Sequence, residues 1–226
     1  MEPDTDERRA VAPLVVAIDG PAGAGKSTVG RAVAARLGLD YLDTGAMYRA
    51  VTFAALRRGL DPSDEDDVGE LSETMSLELD SSVPGTRVVV DGVDATIEIR
   101  GREVTAAVSA VAANSRVRAE LVRRQRRWVD EHHGGVVEGR DIGSVVFPDA
   151  ALKLFVTASP RVRAQRRVAE IGGDVADVEA SIIARDRKDS TRRDSPLAET
   201  SDAVVVDTSD MGIDAVVDHI LGLLGR

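Results

Sequence analysis

The segment LVVAIDGPAGAGKST, residues 14 to 28, constrains the fold more than any other part of the chain. Leu14 to Ile18 is an apolar run without alternation, as in a short strand buried on both faces. The stretch VGRAVAARLGL that follows the loop spaces Val29, Val33 and Leu37 along one side of a helix. Between the two lie glycines at 20, 23 and 25, then Lys26, Ser27 and Thr28. The pattern satisfies G-x-x-x-x-G-K-[ST], with Gly20, Gly25, Lys26 and Ser27 at the fixed places. Strand, glycine-rich turn and helix in that order aim several backbone N–H groups and the positive end of a helix at one point. The glycines let the loop bend through conformations closed to other residues and let an anion approach the backbone. Gly20, Pro21, Ala22, Gly23, Ala24, Gly25, Lys26, Ser27 and Thr28 are therefore predicted to cradle the phosphates of a nucleotide. Lys26 would reach the β and γ positions, and the Ser27 hydroxyl would ligate Mg2+.

Downstream, LDYLD predicts a second short strand and Met47 to Arg58 a helix, with Thr44 and Gly45 in the turn between them. DPSDEDDVGELSETMS predicts a short acidic helix. LELDSSVPGTRVVVDGVDA then alternates and turns at VPGT and at Asp91-Gly92, as a small antiparallel insertion does. Residues 103 to 132 read as helix in two pieces broken near ANS, with Ser115 as N-cap and Val117, Leu121 and Trp128 as an apolar stripe. GGVVE ending at Glu138, ALKLFVTA and DAVVVDTS read as strands. A charge-dense helix is predicted over 160 to 193, and a closing helix carries Ile213, Val216, Val217, Ile220 and Leu224. Apolar strands alternating with helices predict an α/β protein with a parallel sheet covered on both faces. Ligands of such sheets bind at the carboxyl ends of the strands. The loop at 20 to 27, DTG at 43, EGRD at 138 and DTS at 207 all fall there.

Charge and composition narrow the partners. The chain has 226 residues, with 29 basic against 39 acidic ones and a formal charge of −10. That balance argues against a broad surface for a nucleic-acid polymer, which needs a positive face. Arginines nevertheless crowd 116 to 127, 161 to 167 and 185 to 193. No apolar run reaches membrane-spanning length. The charged start MEPDTDERRA is unlike a secretory or transit peptide. With no cysteine, disulfides and thiolate metal sites are excluded. A cytoplasmic, monomeric protein is expected, with residues 1–12 as a flexible acidic tail and 13–226 as a single domain.

A phosphate-binding loop alone leaves NTPases, GTPases and small-molecule kinases open. The guanine-reading N-K-x-D is missing, because the one asparagine, Asn114, is followed by serine. The segments GPAGAGKST, DTGAMYRA, VRAELVRRQR, EGRDIGSVVFPDA, LFVTAS and RDRKDSTRRDSPL together resemble the bacterial cytidylate kinase family, over residues 13–226. The resemblance implies a P-loop NTPase-type sheet with a nucleoside-monophosphate-side insertion at about 60–105 and a helical lid at about 159–190. It implies transfer of the γ-phosphoryl group of ATP, with Mg2+, to CMP or dCMP in pyrimidine nucleotide metabolism. On that resemblance Thr44, Arg118 and Asp141 read cytosine, with Ser109 supporting the last two. Arg185 and Asp189 bind the sugar hydroxyls, and Arg49, Arg140 and Arg192 hold the acceptor phosphate. Lys26, Arg140 and Arg192 are the implied catalytic residues. Arg161, Arg163 and Arg166 are candidates to fold over ATP. One departure stands out: the family usually has DGRD where this chain has EGRD, so Glu138 keeps a carboxylate on a longer arm. Two alternatives stay open: a small-molecule P-loop kinase for another nucleotide or a shikimate-like acceptor, and a nucleotide-binding regulator without turnover.

Overall fold

A computed structural model describes residues 13–81 and 86–225. Strands β1 (Leu14–Asp19), β2 (Tyr41–Asp43), β6 (Gly134–Glu138), β7 (Leu152–Thr157) and β8 (Val204–Asp207) form a five-stranded sheet in the order β2-β6-β1-β7-β8. Every pairing in it is parallel. Helices α1 (Lys26–Leu37), α2 (Thr44–Arg57), α3 (Glu65–Thr74), α4 (Arg102–Val111), α5 (Ser115–Glu131), α6 (Pro160–Ile171), α7 (Val175–Ser190) and α8 (Ile213–Leu223) complete the fold with a second, antiparallel sheet of β3 (Leu77–Asp80), β4 (Arg87–Val90) and β5 (Val93–Asp94).

The unalternating run of β1 is explained by its two buried faces. Val15 and Ala17 join Leu42 and Val137 under α2 and α5, packing on Ala50, Val51, Val117 and Leu121. Val16 and Ile18 point the other way, into a core with Val29 and Val33 of α1 and Val216 and Ile220 of α8. Each large aliphatic side chain so buried contributes roughly 1.5 to 3 kcal/mol. Register places Ile18 opposite Glu138, and Asp43 opposite the same residue from the far side. The carboxyl ends of β1, β2 and β6 therefore meet at one rim, where the sequence places its polar loops.

Local chemistry moves several boundaries. Helix α2 begins at Thr44, not Met47, because the Asp43 carboxylate accepts the Ala46 N–H at 3.0 Å and caps it there. The N-cap of α5 is Asn114 instead of Ser115; its Oδ1 accepts from the amides of Arg116 (3.0 Å) and Val117 (3.2 Å). The helix predicted over 160 to 193 is two helices, since Gly172 at φ 74° ends α6 and Asp174 caps α7. Asp91 and Gly92, both at positive φ, make the tight turn from β4 to β5. Most of the turn expected at VPGT and the tail expected at 1–12 lie outside the described residues. Among the described residues no helix is long and apolar enough to cross a membrane.

Candidate active site

The loop between β1 and α1 is built on close approach. Gly20 has φ +143°, and a Cβ there would sit 1.9 Å from the Val156 carbonyl oxygen of β7, so no side chain fits. Gly25 caps α1 without a side-chain hydrogen bond, which leaves the first N–H groups of the helix for an anion. Lys26 is buried and donates from Nζ to the carbonyl of Pro21 at 2.9 Å. Burial, and after it the Arg140 charge, lowers the proton affinity of this ammonium. The Ser27 hydroxyl donates to Glu138 Oε1 at 2.8 Å. Burial, then the nearby Asp43, raises the pKa of the Glu138 carboxyl.

These donors fit a hard divalent cation. Glu138 Oε2 is buried without a hydrogen-bond partner, beside the Ser27 hydroxyl. Among the described residues no group of three or more His, Cys, Asp or Glu side chains could cage a metal. A cation here would take most of its ligands from phosphate oxygens and water, which is the habit of Mg2+.

Across the rim, Thr44 Oγ1 donates to the Glu138 carbonyl at 2.7 Å and ties the start of α2 to the end of β6. At Gly139 a Cβ would come within 2.6 Å of Ile142 Cδ1 and 2.8 Å of Thr44 Oγ1, so any side chain there would have to displace Ile142 and Thr44. Arg140 and Asp141 follow. Arg140 Nε donates to Asp189 Oδ2 of α7 at 3.1 Å, and Asp141 forms a buried ion pair with Arg118 of α5. The Arg118 guanidinium also lies 5.5 Å from the centre of the Tyr48 ring and donates to the Ala112 carbonyl.

The remaining predicted residues are held less directly. Arg49 donates to Thr105 Oγ1 (2.9 Å) and the Ile99 carbonyl (3.2 Å). Arg192 donates to the Ser195 carbonyl at 2.7 Å. Arg185 Nε and Arg192 Nε are buried without partners. Ser109 is half-buried on α4 and hydrogen-bonds neither Arg118 nor Asp141. The cations press on one another. Burial and then Arg185 draw Arg49 down to about 10; burial and then Arg140 lower Arg185; burial and then Arg118 lower Arg192. Crowded, partly unpaired guanidinium groups, of which Arg140 also acts on Lys26, suit an anion.

The lid candidates separate. Arg163 is buried, donating to the carbonyls of Ala158 (2.9 Å) and Ala22 (3.1 Å) while pairing with Asp186 at 2.7 Å. Arg166 donates to the Thr208 hydroxyl (3.0 Å) and carbonyl (2.6 Å), and Thr208 Oγ1 in turn reaches the Ala24 carbonyl at 3.0 Å. Arg161 instead pairs with Glu179 on the outside, more than half exposed. The sequence placed Asp43 and Thr208 at the carboxyl ends of strands without giving either a role, and it did not single out Asp19 or Tyr41. Asp19, Asp43 and Thr208 lie at or next to the carboxyl end of a strand, which was the available signal, whereas Tyr41 opens β2 at its other end. Tyr41 Oη is buried without a hydrogen-bond partner, and burial, then Glu138 and Asp43, push its pKa upward.

A parallel sheet of this order, a phosphate loop capped by nothing but backbone, and guanidinium groups close enough to repel one another define a P-loop phosphotransferase. The fold matches a gluconokinase from Sinorhizobium meliloti 1021 with a TM-score of 0.51 at 14% identity, covering 95% of this chain and 93% of that one. It also matches an uncharacterized protein from Eubacterium ventriosum ATCC 27560 with a TM-score of 0.56 at 10% identity, covering 94% of this chain and 99% of that one. The family model for cytidylate kinase matches residues 16–226. A cytidylate kinase from Mycobacterium avium (strain 104) is 50% identical over 218 residues, 94% of this chain and 96% of that protein. One from Rhodococcus opacus (strain B4) is 49% identical over 213 residues, 92% of this chain and 93% of that protein. The chain belongs to the cytidylate kinase family.

Proposed function

We propose that this protein, an ATP-dependent phosphotransferase by its family, passes the γ-phosphoryl group of ATP to CMP or dCMP, giving ADP and CDP or dCDP. The observation that carries this function is the buried Arg118–Asp141 pair beside the crowded arginines. It offers a guanidinium donor and a carboxylate acceptor to the edge of a base whose phosphate lies among cations. Cytosine, with an amino donor and a carbonyl acceptor on one edge, complements that pair.

The nucleophile is already an anionic phosphate oxygen, so no strong base is needed. Catalysis consists of in-line positioning and stabilisation of charge. Lys26 leaves the Pro21 carbonyl for the β- and γ-phosphates, and the amides opening α1 hold the rest of the donor. Arg49, Arg140 and Arg192 hold the acceptor phosphate, two-pronged where the geometry allows. Arg185 and Asp189 take the sugar hydroxyls, and Thr44 joins Arg118 and Asp141 at the base. Ser27 and Glu138 would hold Mg2+ brought in with ATP, and the ion would supply neutralisation of phosphate charge. Residues of about 159–190 act as a lid that excludes water, and those of about 60–105 as the acceptor-side insertion of one domain. Arg166 and Arg163 are the lid arginines nearest the loop. The enzyme is proposed to be monomeric and cytoplasmic, and the charge of −10 supports its binding no nucleic-acid polymer.

The test is ADP formation against an acceptor panel of CMP, dCMP, UMP, AMP and shikimate. Turnover strictly dependent on added acceptor, with CMP or dCMP preferred, is expected. ADP release indifferent to the acceptor, or a different preferred acceptor, contradicts it.

A further inference from the structure

We propose that Asp19 is a positioning residue: it caps, from a neighbouring strand, the turn that carries Arg140 and Asp141, and so leaves the Asp141 carboxylate free to face the acceptor base. This rests on the assignment of Asp141 to base recognition made above.

Asp19 ends β1 and directly precedes Gly20, so it is the root of the phosphate-binding loop. Its side chain is only 6% exposed and has no cation bonded to it. Oδ1 accepts the Ile142 N–H at 2.8 Å and Oδ2 accepts the Gly143 N–H at 2.8 Å. Those amides open the π-helical turn Ile142–Val146, whose N-cap position is Asp141. A helix start leaves its first N–H groups without partners, and an aspartate at the N-cap ordinarily accepts them itself. Asp141 does not: its side chain makes no capping hydrogen bond, because it pairs with Arg118. Asp19 supplies the missing acceptor from across the sheet, and the Gly139 N–H bonded to the Ile18 carbonyl at 2.9 Å fixes the approach.

A buried carboxylate without a cation is tolerated only when fully hydrogen-bonded. Burial pushes Asp19 up to about 6, with the two amides and Lys26 opposing it and Asp141 adding to it. With this cap removed, the Ile142 and Gly143 amides would be orphaned inside the protein. Asp141 stands at the N-cap position of that turn, and in taking them it would turn away from Arg118 and from the base. Asp19 thereby fixes the acceptor turn against the end of β1.

Asp19→Ala and Asp19→Asn test this with ATP, Mg2+ and either CMP or UMP. In Asp19→Ala, kcat/KM for CMP should fall about 10- to 100-fold, the scale expected for a misplaced reacting group. KM for ATP should stay within about threefold, and the preference for CMP over UMP should shrink by about tenfold. Asp19→Asn, which keeps one acceptor but turns an amide N–H2 toward one of the two donors, should fall between. Losses equal for CMP and UMP, with the preference intact, would overturn the proposal. A wild-type enzyme that does not prefer CMP would overturn the functional assignment first, and the proposal with it. Should the variants not fold, amide exchange in the wild type decides: Ile142 and Gly143 slow by about 100-fold or more support it, and exchange at the rate of free peptide overturns it.

Discussion

Arg118 on α5 and Asp141 beyond β6 form an ion pair whose members are only 4% and 5% exposed, linking a helix to the rim of the sheet. Such a pair contributes little net stability, but removing one member leaves an uncompensated charge. Asp141→Ala should therefore destabilise the folded protein by about 3 to 5 kcal/mol, read from urea unfolding. A loss under about 1 kcal/mol would mean Arg118 finds water or another partner. Asp141→Asn keeps the volume and one acceptor, and is the better variant for activity.

Lys26→Ala separates chemistry from folding. The ammonium is buried and donates to the Pro21 carbonyl, with burial and Arg140 disfavouring its charge and Glu138, Asp19 and Asp43 favouring it, so its loss should change stability little. Turnover should drop by about 10²-fold or more, as for other preorganised donors to developing charge. Thermal unfolding and kcat measured on the same preparation check both halves. Near wild-type turnover contradicts the role.

Asp19 carries a pH signature in stability. Its carboxyl is raised from an ordinary 3.8 to about 6 in the fold, chiefly by burial. The native state thus holds a proton over a window where the unfolded state has lost it, so stability contributed at low pH disappears as pH rises from about 4 to about 6. At roughly 1.4 kcal/mol per pKa unit the difference is about 2 to 3 kcal/mol. Urea midpoints for wild type and Asp19→Asn at pH 4 and pH 7 should show the wild type losing that amount relative to the variant. Parallel pH dependences would contradict it.

Asp189 bonds Arg140 through its side chain and accepts the Leu197 N–H at its carbonyl. Asp189→Ala frees Arg140 for both acceptors alike, and if Asp189 binds the sugar as proposed, only ribose also loses a partner for its 2′-hydroxyl. KM should rise more for CMP than for dCMP, by about 5- to 10-fold in ratio for one such bond. Equal effects would place Asp189 on the shared hydroxyl or in structure only.

The sheet, the phosphate loop and the order of elements were legible because each is written in contiguous residues: an unalternating β1, a glycine pattern, helical spacing in α1 and α8. Boundaries shifted where neighbouring residues compete for one role, as Asn114 does with Ser115, and where Asp43 caps a helix earlier than its apolar face begins. Asp19 stayed hidden for a different reason. Its partners are backbone amides more than a hundred residues away, and an amide leaves no residue type in a sequence to mark it. Arg163 shows the same limit, since its spacing in a basic run does not say that it bonds Ala22 and Asp186.

Base selectivity tests the central claim most directly. Cytosine places an amino donor where uracil has a carbonyl, and the Asp141 carboxylate can only accept. With UMP it would be left desolvated and facing a lone pair, a mismatch of roughly 2 to 4 kcal/mol. Measured as kcat/KM, wild type should favour CMP over UMP by about 30- to 1000-fold, and Asp141→Asn should lose most of that preference by losing CMP activity. A wild-type ratio near one, or a ratio unchanged in folded Asp141→Asn, would contradict the account.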